Sequence, residues 1–128
     1  MDQSALQDWL DRYIAAWKTY DQATIEGLFA ENATYRYHPY DDEYLRGRDA
    51  IVKNWLDNRD DDGTWEAHYE AYAADGDRAV ALGWSRYYED ASKAKLLRIY
   101  DNVFVMRFDA DGRCAEFTEY FMQEPDKA

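Results

Sequence analysis

Four consecutive stretches, Trp65–Ala73, Arg78–Glu89, Lys95–Phe108 and Cys114–Gln123, alternate apolar with polar residues at the period of a β-strand. Asp75-Gly76-Asp77 and Asp109-Ala110-Asp111-Gly112 part them with turn-forming residues, and Glu89–Lys95 reads as a looser polar turn. Long strands joined by connections this short predict an antiparallel meander, and long twisted strands curl.

The residues before Trp65 have a different period. Leu6, Trp9, Leu10, Tyr13, Ile14 and Trp17 recur at helical spacing, with Ser4 as the expected N-cap and Gln7 as its capping-box partner. A short helix is expected after Asp21, carrying Ala23, Ile25, Leu28 and Phe29 and ending near Glu31-Asn32. Ala33–Tyr37 reads as a strand that His38-Pro39 stops, followed by a polar loop to Gly47. Arg48–Arg59 places Ile51, Val52, Trp55 and Leu56 on one helical face, with Asp49 near the positive end. Helices first and a meander after them predict an α+β fold, in which helices on the concave face of a curled sheet leave a conical cavity. A chain of 128 residues has room for one core, so one domain over 1–128 is expected.

Charge narrows the partners. Twenty-seven acidic against 15 basic residues give a net charge of −12, which argues against a nucleic-acid surface or an anionic membrane. The single Cys114 forms no intrachain disulfide and no cysteine zinc site. Runs of about 18 apolar residues are absent, and the acidic, amphipathic start does not read as a signal peptide, so a cytoplasmic address is expected. His38 and His68 stand in no HxxE, HxH or HExxH spacing. Asp57–Gly63 lacks the alternating ligands and the closing glutamate of a calcium loop. With no Gly-rich phosphate loop either, neither a metal nor a cofactor is expected.

Three segments carry a family likeness: Arg12-Tyr13-Ile14 through Phe29-Ala30-Glu31-Asn32-Ala33-Thr34, Arg46–Ile51, and Val105–Asp109 with Gly112-Arg113. In order and spacing the chain resembles the nuclear transport factor 2-like superfamily, among its SnoaL-like members, the polyketide cyclase-like and ketosteroid isomerase-like proteins. The resemblance implies a cone-shaped, cystatin-like α+β barrel with a mixed or antiparallel sheet, a pocket at its open end and commonly a homodimer through the outer sheet face. It also implies roles. Tyr13 falls where a ketosteroid isomerase keeps its oxyanion-binding tyrosine, and His38 near that family's aspartate base. Phe104 replaces the second oxyanion donor, while Trp55 and Phe29 replace supporting tyrosines. Losing that donor costs a few kcal/mol of transition-state stabilisation, so steroid isomerisation is not expected. Glu119 falls where polyketide cyclases and limonene epoxide hydrolase carry a catalytic aspartate, one methylene shorter.

Strand alternation groups Trp84 with Arg86, Tyr100 with Asn102 and Phe104, and Phe117 with Glu119 and Phe121. These faces, with Trp17, Phe29 and Trp55, are the expected wall of a pocket for a small apolar organic ligand. His38, Glu119 and Tyr13 are its candidate catalytic groups. Bland readings stand beside each: His38 stacking on Tyr37 or Tyr40, Glu119 paired with Arg86 or Arg98, Arg86 on a solvated face, Tyr13 as a core tyrosine. Two functions therefore stay open. One is a cofactor-independent isomerase, cyclase, dehydratase or epoxide hydrolase; the other is a non-catalytic ligand-binding or dimerisation module.

Overall fold

The computed structural model describes residues 1–125. Helix α1 (Gln3–Thr19) buries Leu6, Trp9, Leu10 and Tyr13 of the predicted stripe together with Ala16, while Ile14 and Trp17 are half-buried. Its cap is Asp2 rather than Ser4: the Asp2 carboxylate accepts from the Ala5 amide at 2.8 Å. Gln7 closes no capping box. It donates to the Tyr69 carbonyl and accepts from the Ala71 amide. Both belong to an edge strand whose outward backbone groups lack a neighbour, and an amide side chain satisfies one of each kind.

Helix α2 (Gln22–Glu26) begins at Asp21, whose carboxylate accepts from Thr24. It stops well short of the expected Glu31-Asn32, because Phe29 already opens strand β1 (Phe29–Arg36). The Leu28 carbonyl accepts from Trp9 Nε1 at 2.9 Å and from the Cys114 amide at 2.8 Å, so the helical ladder has no claim on it. The expected polar loop holds the short strand β2 (Leu45–Arg46), beside which the Arg36 and Arg46 guanidiniums flank the Tyr44 ring. Gly47, at φ 90°, then turns the chain into helix α3 (Arg48–Asp57).

Strands β3 (Trp65–Asp75), β4 (Arg78–Tyr88), β5 (Leu96–Phe108) and β6 (Cys114–Gln123) form the expected meander. The curved sheet is mixed and unclosed, in the order β2-β1-β6-β5-β4-β3, with β1 parallel to β6 and the other neighbours antiparallel. The core is a nest of rings around Trp9, which meets Phe29 and Phe108 edge-on at 6.0 and 5.4 Å.

Alternation along β4 holds, but its inner face is the other one. Ala79, Ala81 and Ser85 are buried, while Trp84 and Arg86 lie on the outer side. The physical reason sits at Gly83, where an added Cβ would fall 2.1 Å from the His68 carbonyl oxygen and 2.4 Å from Tyr69 Cδ1. The inner positions of β4 are small because the Tyr69 and Phe104 rings, 4.5 Å apart, fill the space above them.

Candidate active site

Between the helices and the inner sheet face lies a cavity of about 360 Å³, within the range of small-molecule sites. Its inner end is buried: Tyr13 from α1, Tyr35 from β1, Tyr69 from β3, Ser85 from β4 and Asn102 from β5. Tyr37, His38 and Phe121 form its more exposed rim, and Trp17, Trp55 and Tyr100 also line it.

Of the expected catalytic groups, Tyr13, His38 and Glu119 all line this one cavity. Glu119 is directly opposite Phe104 in the β5–β6 ladder, so the two share the inward face. Oε1 accepts from Asn102 Nδ2 at 3.0 Å, and Asn102 Oδ1 accepts from the Ser85 hydroxyl at 3.1 Å. Among the described residues Glu119 has no ion pair; neither Arg86 nor Arg98 neutralises it. Burial pushes its carboxyl up to about 7, against the opposing pull of the Asn102 hydrogen bond and of nearby His38. A group in that range exchanges a proton with a substrate at little cost in either direction.

The Tyr13 and Tyr35 hydroxyls are 3.1 Å apart. Burial pushes both well above the ordinary tyrosine value, so both keep their hydrogens. One hydroxyl donates to the other, which leaves one hydrogen of the pair for a ligand oxygen. At the rim burial drives Tyr37 up to about 12, and its hydroxyl donates to Asn54 Oδ1 at 2.6 Å. His38 stacks against Tyr40 and meets Phe121 at 5.3 Å. Trp17 stacks on Trp65 and donates from Nε1 to Asp60 at 2.9 Å.

The remaining expected wall residues fall into two groups outside the lining. Phe29, Phe104 and Phe117 are fully buried behind it; Phe117 stacks on Tyr35 at 4.4 Å and stiffens the inner end. Trp84 and Arg86 lie across the sheet, where the Arg86 guanidinium covers the Trp84 ring at 4.2 Å. Their place is taken by Ser85 and Tyr87 of the same strand. The sequence reading also missed Tyr35, Tyr37, Tyr69 and Arg98. Alternation carried the signal for Arg98, two residues before Tyr100, and pairing carried it for Tyr69, opposite Gly83 and hence in line with Asn102. Among the described residues, no three His, Cys, Asp or Glu side chains converge as a metal-ligand set.

The sequence matches the family model of the SnoaL-like domain over residues 10–117, and the chain belongs to that family. Solved structures repeat the fold. An epoxide hydrolase of M. tuberculosis, described as LEH-like, superposes with a TM-score of 0.65 at 13% identity over 94% of this chain and 84% of its own. A nuclear transport factor 2-like protein of unknown function from Burkholderia xenovorans LB400 gives a TM-score of 0.69 at 17% identity, over 100% of this chain and 90% of that one. A candidate ketosteroid isomerase from Kribbella flavida DSM 17836 gives 0.67 at 16% identity, over 98% and 84%. A search of curated proteins found no match. Among the described residues no helix is long and apolar enough to cross a membrane.

Proposed function

We propose that this protein is a cofactor-independent enzyme that moves a proton on a small, mainly apolar organic substrate carrying one oxygen function. Glu119 is the base. The spare hydrogen of the Tyr13–Tyr35 pair polarises the substrate oxygen, His38 is a second proton acceptor at the rim, and the rings exclude water. The observation that carries this reading is a half-buried carboxyl in a ligand-sized cavity, held by Asn102 and titrating near 7. Isomerisation, cyclisation, dehydration and epoxide hydrolysis all use a base beside an oxygen-polarising donor.

The test is turnover of a panel of apolar ketones, lactones and epoxides by the wild type, Glu119→Gln and His38→Ala. A substrate found there should lose about 10²-fold or more of its rate in Glu119→Gln. Undiminished turnover in both variants removes the chemistry. Binding without turnover across the panel makes the cavity a receptor.

The reading extends to a cytoplasmic homodimer. Val105, Tyr120 and Met122 on the outer sheet face are exposed, Met122 to 77%, and a second copy would cover them. Sedimentation velocity tests this part, and a monomer at micromolar concentration removes it.

A further inference from the structure

We infer that Asp41 is a positioning residue for His38: it holds the imidazole in the tautomer protonated on Nδ1 and leaves Nε2 as the bare nitrogen. A tight turn follows the end of β1. The Asp41 amide donates back to the His38 carbonyl at 3.2 Å, closing the four-residue turn His38-Pro39-Tyr40-Asp41. Pro39 stands at the second position, where its fixed φ suits the turn. The turn brings the Asp41 carboxylate back to the histidine. Oδ2 accepts from the His38 backbone amide at 3.2 Å, and Oδ1 and Oδ2 lie 3.2 and 3.3 Å from Nδ1.

An ionised carboxylate only accepts, so the hydrogen of the contact belongs to Nδ1. A neutral ring carries one N–H, and Nε2 is then a lone-pair acceptor. Among the described residues Nε2 has no hydrogen-bond partner, whereas the ring itself is gripped between Tyr40 at 5.1 Å and Phe121 at 5.3 Å. A half-turn of the ring would put Cδ2 where Nδ1 stands and lose the Asp41 contact, so the contact with Asp41 is what fixes the ring's orientation. As His38 lines the cavity, its neutral form presents an acceptor there and suits a ligand bearing a hydroxyl, an acidic C–H or a water. That last consequence rests on the enzyme reading; the tautomer lock does not.

The test is long-range ¹H–¹⁵N correlation of the histidine rings in the free, whole chain at mildly alkaline pH. His68, the other histidine, serves as the internal reference. The wild-type His38 ring should show a protonated Nδ1 and a bare Nε2. Asp41→Ala should exchange the two, while His68 stays unchanged. A wild-type ring protonated on Nε2, or an Asp41→Ala ring that keeps its hydrogen on Nδ1, overturns the inference. Should Asp41→Ala fail to fold, the wild-type spectrum decides alone. The readout needs no substrate. A lock that holds while Glu119→Gln and His38→Ala turn over normally retires the enzyme reading and keeps this one.

Discussion

The side-chain amide of Asn102 reaches diagonally across the β5–β6 ladder to Glu119 Oε1 at 3.0 Å, the one hydrogen bond that this half-buried carboxylate accepts among the described residues. The Ser85 hydroxyl donates to the Asn102 amide oxygen and the Asn102 amide donates to the carboxylate, so a chain of hydrogen bonds running out of the sheet, with His38 nearby, answers the charge on Glu119.

Stability should therefore fall as pH rises through neutrality. The native Glu119 carboxyl titrates near 7 against 4.5 in its ordinary state. The native chain holds the proton where the unfolded chain has released it. The stabilisation is complete below about pH 4.5 and is lost as pH climbs through 7, where the buried charge costs on the order of 3 kcal/mol. Urea unfolding at pH 5 and pH 8 checks this. Glu119→Gln should be the more stable protein at pH 8 and lose its advantage at pH 5; equal slopes for both proteins would refute the assignment.

Replacing Asn102 by Leu removes the donor that favours the charged form, so the Glu119 midpoint should move up from about 7. Carboxyl ¹³C titration reads this directly. The same substitution strands the Ser85 hydroxyl and should cost about 1–3 kcal/mol of stability. A midpoint that drops or stays would mean the amide does not set the charge.

Gly83→Ala is expected to destabilise by about 3 kcal/mol or prevent folding, since the new methyl would press on the His68 carbonyl and the Tyr69 ring at 2.1 and 2.4 Å. Gly27→Ala is the control. That residue sits at φ −67° with no heavy atom closer than 3.5 Å, and it should be neutral to slightly stabilising. Thermal melts of the two variants compare them, and similar losses would show that Tyr69 does not lean on β4.

Cys114 is fully buried, and burial pushes its thiol far above the ordinary value. Its sulfur donates to the Glu116 carbonyl. The native thiol should resist a disulfide reagent and react only as fast as the chain opens. Rapid modification of the native protein would contradict this placement.

On a substrate from the panel, kcat/KM should rise as pH passes 7 and then level, because the base is the ionised Glu119. A rate that falls across the same interval assigns Glu119 the acid role instead.

Much of this was legible in the sequence, and the losses have identifiable causes. On β5 and β6 large rings mark the inward face, so alternation put Asn102 and Glu119 on the cavity side, whereas Phe104 and Phe117, expected in the wall, point inward but lie behind the lining. On β4 the inward residues are Ala, Gly and Ser, and size pointed to the wrong side; only the partner strands explain why nothing larger fits. Leu28 and Phe29 suit a helix as well as a strand, and the choice was made by Trp9, nineteen positions away. Asp41 lies three residues from His38, but nothing in the letters says that a proline turn folds it back.

The stack of Trp17 on Trp65, with centroids 3.6 Å apart and planes 9° from parallel, gives the molecule a built-in optical sensor. Trp17 also lines the cavity, so a ligand settling there should perturb indole emission and the exciton signature of the coupled pair in circular dichroism. Ligand screening can thus begin without a dye, a tag or any knowledge of the reaction.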